Sequence, residues 1–356
     1  MTIPAFEQAW PMPTDPRPVV ILGTGGIVRD SHLPAYRAHG IPVAGLWNRD
    51  ADRARDVADA FGVDTVHHDV ASACAREDVI YDIATSPAAY RDLLEAIPEG
   101  AAVLIQKPLG LTLEEADALV AICRRRGLVA AVNFQLRFAP MMLAIRRALD
   151  AGFFGTLTEV EVHLNLVTPW DQFPNLRGDP RVEIVAHSVH YIDLIQSLIG
   201  TPTGAFARSF PYPGSDLADT RTTAILDYGA PLRVALSINH HHDFGRSHQT
   251  SQIRVEGDAG AAVAKLGVLL DYPKGEPDAL WMARRGGPMT EVPLAGRWFP
   301  DAFAFVMANL QRVAAGEDDV LMTAVDSART TMAIVEACYR SADRPAEPIP
   351  AAPEAP

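Results

Sequence analysis

Residues 18 to 28 read Pro18-Val19-Val20-Ile21-Leu22-Gly23-Thr24-Gly25-Gly26-Ile27-Val28. Four apolar residues stop at a glycine-rich turn, and a mixed apolar and polar stretch follows. The run predicts a short buried strand over 18–23, and the pattern after it predicts a helix over 28–39 with Pro34 as an early break. A strand, a glycine turn and a helix in that order open a βαβ unit.

The alternation continues downstream. Strands are predicted at 42–47, 80–84, 101–105 and 128–132, with a short extended piece at 64–66. Helices are predicted at 51–61, 88–97 and 113–126. The last carries Thr112 as N-cap and Glu115 three residues on, the pattern of a capping box. Strand–helix alternation at this spacing means a parallel sheet, so the fold class is α/β. Its first unit, residues 18–137, is a Rossmann dinucleotide-binding domain.

Beyond residue 137 the period changes. A helix at 141–151 precedes strands at 157–167, 222–228, 232–239 and 252–257, joined largely by short turns. These predict a mostly antiparallel sheet with one face open to solvent or a partner. A helix at 184–199 lies within this half. A final helix, over 323–340, is expected to pack back on the first domain. Residues 138–343 therefore form a second α/β domain. Residues 1–17 hold four prolines and no periodicity, and read as an arm. Residues 344–356, rich in Pro, Ala and Glu, read as a disordered tail.

Composition narrows the function. The 356 residues are 48% hydrophobic and 21% charged, as in an ordinary globular protein. A net charge of −13 argues against a nucleic-acid partner. No apolar run reaches the ~20 residues that span a bilayer, which argues against a membrane partner. The first residues lack a basic region followed by an apolar core, so they do not read as a secretory signal. Cys74, Cys123 and Cys338 are far apart and form neither a metal spacing nor a disulfide framework, so a cytoplasmic location is expected.

In the glycine turn, Gly23 and Gly25 are the first two glycines of G-x-G-x-x-G, and Val28 takes the third place. Gly23 permits the tight turn, and Gly25 lets backbone approach a pyrophosphate at the helix N-terminus. Thr24, Gly26 and Ile27 complete the loop. A carboxylate that reads the ribose is expected near residue 48, but Asn48 stands there, with Arg49 next and Arg53 one turn on. Without the acid a 2′-phosphate is not repelled, and an arginine pairs with it, so NADP is favoured over NAD.

The strand at 101–105 ends in Gln106-Lys107-Pro108. In an open α/β sheet, ligands sit outside the carboxyl ends of the strands, which places Lys107 to act on one. Pro108 fixes its own φ and restricts the backbone of Lys107. Later, Asn239-His240-His241-His242-Asp243 is conspicuous. Alternation along a strand lets at most His240 and His242 share a side, so no metal site is expected there. These histidines read as a polar sheet end, a pocket rim or an interface. Trp170 and the arginines 177 and 181 lie on a polar loop that either caps a substrate or is an ordinary surface loop.

Several ordered segments resemble the Gfo/Idh/MocA oxidoreductase family. They are Val20–Ile27, His32-Leu33-Pro34, Asp82-Ile83-Ala84-Thr85-Ser86-Pro87, Gln106-Lys107-Pro108-Leu109, Asn133–Phe138, His190-Tyr191-Ile192-Asp193 and Ile334–Ser341. The resemblance spans roughly residues 18 to 350. It implies a large open sheet in the second domain, a nicotinamide cofactor, and hydride exchange with a secondary alcohol or ketone of a sugar, polyol or sugar acid. It implies assembly as a homodimer or homotetramer through the C-terminal sheet. Thr85, Ser86, Pro87 and Gln106 join the glycine loop as expected cofactor residues. Lys107 and His190 match the family's lysine and histidine.

Two departures are plain. Gln106 replaces the family's acid before the lysine, and Ala186 replaces the aspartate four residues before His190. His187 or Glu183 is expected to substitute, because α-helical spacing puts 183, 187 and 190 on one face. The expected catalytic residues are Lys107, His190 and His187. Trp170 and Glu183 join them as substrate contacts, and Arg137 either joins them or pairs with an acid at the domain junction. Two alternatives stay open on the departures: a sugar isomerase, lyase or hydrolase that cycles a tightly bound cofactor, and a non-catalytic nucleotide-binding regulator.

Overall fold

Strand β1 (Val19–Leu22) is buried along its whole length and lies parallel between β2 (Val43–Trp47) and β3 (Ile80–Ile83). This is seen in a computed structural model that describes residues 3–229 and 231–350. With β4 (Ala102–Ile105) and β5 (Val129–Val132) the strands form a parallel sheet ordered β2-β1-β3-β4-β5. A parallel bridge from Leu46 to Val66 adds one more position outside β2. The result is the strand order 3-2-1-4-5-6 of a dinucleotide-binding sheet. β3 and β4, like β1, are buried at every residue, as a sheet covered on both faces requires.

The helices of this half are α1 (Leu33–Ala38), α2 (Ala51–Phe61), α3 (Val70–Ala73), α4 (Tyr90–Ala96) and α5 (Leu113–Arg125). Asp50 caps α2 by accepting from the N–H groups of Asp52 and Arg53. Thr112 caps α5 through the Glu115 N–H, but the returning carboxylate of Glu115 takes the Leu111 N–H, one residue before the expected partner. The helix expected over 28–39 is divided: Val28–His32 forms a π-helical turn, and α1 follows it. His32, wholly buried, meets Asp82 of β3 at 2.6 Å, and Tyr36 donates to the same carboxylate at 2.7 Å. These bonds fasten the helix after the glycine turn to the centre of the sheet.

The second half contains α6 (Pro140–Asp150), β6 (Leu157–Asn165), α7 (Val189–Ile199), β7 (Gly204–Phe210), β8 (Arg221–Asp227), β9 (Arg233–Asn239), β10 (Thr250–Gly257), β11 (Gly260–Lys265), β12 (Ala279–Arg284), β13 (Thr290–Val292), α8 (Asp301–Ala314) and α9 (Val325–Ala342). The eight strands are ordered β13-β12-β11-β10-β6-β9-β8-β7, antiparallel except for the β6–β9 pair. Burial alternates along β6, β8, β9 and β10, so one face is packed and the other open.

Four strands and two helices were not foreseen, one of the helices being the four-residue α3. β11 reads Gly-Ala-Ala-Val-Ala-Lys, a poor strand former that β10 and β12 hold from either side. β7, β12 and β13 join through cross-strand pairing in the same way. α8 is buried at ten positions in succession, Ala302 to Gln311, so it has no polar stripe to reveal its period. α9 packs on α5 and β5 as well as on β7, touching both sheets. The arm runs without regular structure over the second half: Trp10 donates to Asp318 at 3.0 Å and its ring meets Phe138. Residues 345–350 have no regular secondary structure, and 351–356 of the expected tail lie outside the described residues. Among the described residues, no helix is long and apolar enough to cross a membrane.

Arg137, expected as a substrate contact or as the partner of an acid at the domain junction, is 4% exposed and has its guanidinium taken up by protein groups. It forms a two-pronged pair with Asp193 of α7, at 2.6 and 2.5 Å, and donates to Met322 O and Ser327 Oγ. The pair ties the segment after β5 to α7 and to the start of α9. Removing one member of a buried pair strands the other charge, at about 3–5 kcal/mol. Arg137→Met is expected to lose that much stability in urea unfolding, with Arg137→Met/Asp193→Leu recovering part of it.

Candidate active site

The glycine loop has the shape the sequence requires. Gly23 has φ +114°, and a Cβ there would stand 2.5 Å from the Ala84 carbonyl oxygen. Only glycine tolerates both. A Cβ on Gly25 would meet nothing within 4 Å, so the backbone there is open to a pyrophosphate above the helix start. Val28, in the third glycine's place, is fully buried. Thr24 is buried; its hydroxyl accepts from Asn48 at 2.7 Å and its carbonyl accepts from Arg53 Nε at 3.1 Å. Asn48 and Arg53 thus brace the loop, while Arg49 is exposed beside them. Thr85 lies against Gly23, and Ser86 and Pro87 continue past the end of β3. This cradle fits a dinucleotide.

At the end of β4 the Tyr90 hydroxyl donates to the Gln106 carbonyl at 2.6 Å, which anchors the residue before the lysine. The Gln106 side chain turns back to accept from the Lys107 N–H. Lys107 enters a cavity of about 120 Å³ that Ile27 of the glycine loop also lines. Its ammonium donates to the main-chain oxygen of Ala186 at 2.8 Å. A backbone carbonyl therefore meets the lysine at the position from which the expected acid is missing. Burial draws the Lys107 ammonium down to about 8.

His187 and His190 line the same cavity. Both rings are held well below the usual histidine range, chiefly by burial. His240 and then Lys107 repel a proton on His187, and Lys107 does the same to His190. Each ring has an Nδ1 without a partner among the described residues. At neutral pH the site thus holds a lysine ammonium and two neutral imidazoles.

Glu183 does not share their face. Residues Ile184–Ser188 form a π-helical turn, and the wider turn carries Glu183 behind the cavity wall. It is fully buried, accepts from Ser188 Oγ at 2.8 Å, and does not line the cavity. The expectation of an α-helical 183–187–190 face is corrected for that reason. Trp170 packs its ring on His187 and His240 and supports the cavity from outside. Arg177 pairs with Asp171, and Arg181 with Glu336, and neither lines the cavity.

Several lining residues had no local signal. His240 enters from the end of β9, Phe173 and Tyr272 lie with ring centroids 6.1 Å apart, and Trp298 and Phe299 come from the segment before α8. The histidine run drew notice to His240, but nothing in the sequence says which member faces inward. Among the described residues no cluster has the make-up of a metal site.

A dinucleotide cradle joined by Ile27 to a cavity holding a lysine and two histidines defines a two-domain oxidoreductase. The comparisons agree. Residues 17–134 match the oxidoreductase family with an NAD-binding Rossmann fold, and residues 142–263 match the GFO/IDH/MocA C-terminal domain. The chain belongs to the Gfo/Idh/MocA oxidoreductase family. It is 28% identical over 336 residues to a D-apiose dehydrogenase of Paraburkholderia graminis, covering 90% of this chain and 86% of that protein. It is 28% identical over 247 residues to a D-xylose 1-dehydrogenase (NADP(+)) of Haloferax volcanii, covering 67% and 74%. A levoglucosan dehydrogenase solved with NADH and levoglucosan has the same fold, with a TM-score of 0.76 at 17% identity, over 92% of this chain and 97% of that one.

The depressed histidines make stability depend on pH. Below about pH 6.5 the unfolded chain takes up protons that the folded rings refuse, so stability present above that pH is lost as pH falls. Urea unfolding free energy is expected to drop between pH 6.5 and 5. A shallower drop is expected in His187→Gln/His190→Gln, and an identical slope would contradict the buried neutral rings.

Proposed function

We propose that this protein is an NAD(P)-dependent dehydrogenase or reductase acting on a secondary alcohol, or the matching ketone, of a sugar, polyol or sugar acid. One observation carries the reading: Lys107 of the first domain and His187 and His190 of the second meet in one cavity that the glycine loop borders. Two curated relatives are named as pentose dehydrogenases, which supports a carbohydrate-like substrate.

Bound in the cradle, a nicotinamide dinucleotide supplies the hydride donor or acceptor. The chain's own residues handle position and proton. Lys107 spends one N–H on Ala186 O and keeps two for a substrate oxygen. Its positive charge stabilises an alkoxide as that oxygen loses its proton. His190, neutral in the cavity, takes the proton or returns it. His187 stands beside it as a second polar contact. Trp298, Phe299, Phe173 and Tyr272 exclude water, which strengthens both interactions.

We read the cofactor as NADP in preference to NAD. Asn48 presents no carboxylate to repel a 2′-phosphate, and Arg49 and Arg53 lie beside it. The open face of the second sheet, where exposed Phe206 sits opposite exposed Ile225, suits a second copy of the chain in a homodimer or homotetramer. Three free, buried cysteines suit a reducing, cytoplasmic setting.

Lys107→Met is expected to reduce turnover at least ~100-fold while dinucleotide affinity, followed by fluorescence, changes little. Undiminished turnover would remove Lys107 from the chemistry. Asn48→Asp is expected to move the NADP/NAD ratio of kcat/KM towards NAD by about tenfold or more, through repulsion of the 2′-phosphate. A sugar and polyol panel assayed with each dinucleotide reads both effects.

A further inference from the structure

Behind the cavity wall lies a carboxylate that the proposed chemistry leaves unused. Glu183 is fully buried and its Oε2 has no partner among the described residues. Its Oε1 accepts from Ser188 and lies 3.4 Å from Nε2 of His240. His240 is 4% exposed, and its Nδ1 lies 2.7 Å from the Thr168 hydroxyl. It lines the cavity, and its ring centroid is 4.8 Å from that of His187.

We propose that Glu183 and His240 form a buried carboxylate–imidazole dyad that positions His187 and stands in for the acid missing at residue 186. The inference rests on the reading of Lys107 and His190 as the reacting pair.

The partners dictate the tautomer of His240. A carboxylate oxygen only accepts, so Nε2 carries hydrogen and donates to Glu183. The neutral ring then has a bare Nδ1, to which the Thr168 hydroxyl donates; a protonated ring reverses that bond without disturbing the first. In either state His240 is held at both ring nitrogens. A metal-ligating histidine is oriented by the carboxylate on its other nitrogen in the same manner. The ordered ring is one wall for His187, and Trp170 is another, in contact with both rings.

The π-helical turn explains why the acid stands at 183. The extra residue in the turn sets Glu183 behind the wall beside Ser188, five residues on, and leaves the Ala186 carbonyl to Lys107. The site thus divides one family residue's duty. The backbone oxygen meets the lysine, and the displaced carboxylate acts through an imidazole from β9. Other titratable groups face the dyad from each side. Lys107 and His190 face His187 across the cavity, and His241 follows His240 in the chain. Asp219, which accepts from the N–H groups of Val182 and Glu183, backs the carboxylate, with Tyr191, Tyr339 and Cys338 close to it.

The test uses the full-length protein with 15N-labelled histidine, read by ring-nitrogen NMR without substrate. Wild type is expected to show His240 with hydrogen fixed on Nε2. Glu183→Gln, whose amide accepts or donates, is expected to give a mixture of His240 tautomers. In His240→Gln, the midpoint of His187 is expected to move upward, because the imidazole that opposes a proton on His187 is gone. In the assay, Glu183→Gln is expected to lower kcat about tenfold or more, with KM changed less than about twofold. A single unchanged His240 tautomer in Glu183→Gln, or an unmoved His187 midpoint in a folded His240→Gln, overturns the dyad. Should His240→Gln fail to fold, the tautomer in Glu183→Gln decides alone. A fully active Lys107→Met would defeat the catalytic reading while leaving the His240 tautomer measurable, so the two failures are separable.

Discussion

The pair between Arg137 and Asp193 carries the architecture on which the site depends. Arg137 follows the last strand of the parallel sheet, and Asp193 lies on α7, one turn beyond His190. The same guanidinium reaches Met322 and Ser327 at the approach to α9. Three segments far apart in sequence thus meet at one buried cation. Burying two charges gains little net stability, but separating them once buried costs a great deal. The pair accordingly works as a locator. It sets where α7 stands relative to the end of β4, and so where His190 stands relative to Lys107.

Inside that frame the electrostatics are lopsided. Among the described residues lining the cavity there is one amine and there are three imidazoles, but no carboxylate. Apolar side chains surround them, and burial lowers the affinity of the amine and of His187 and His190 for protons. A site so arranged holds neutral rings ready to accept a proton, beside a cation ready to stabilise an anion. The carboxylate duty has moved one layer outwards, to Glu183, where it meets the cavity only through His240.

The features legible in the sequence share a physical origin. The glycine turn, the fully apolar strands and the capped helices are short-range, each determined by a few adjacent residues. Gly23 is a clear case, because its positive φ and the close Ala84 carbonyl both follow from a tight turn between a strand and a helix. Lys107 was legible because Pro108 and the end of an apolar run mark it locally. β11 and α8 escaped notice for the opposite reason. β11 exists because β10 and β12 pair with it, and α8 is buried all round, leaving no pattern to read. Arg137 carried no local mark to separate a structural cation from a ligand-binding one. Its partner Asp193 was visible in the sequence, but their meeting was not.

The sequence by itself determined the first domain, the phosphate-binding loop and the lysine that follows β4, since steric and hydrophobic rules act over a few residues there. Only the tertiary structure decided which histidines face the cavity and where the missing acid went. An α-helical period set Glu183 beside His187 and His190, but a π-helical turn widens the helix by one residue and carries Glu183 behind the wall. His240, from a strand more than fifty residues away, fills the space between them. A one-residue change of helical period alters every side-chain direction after it, and only the packing around residues 184–188 selects that change.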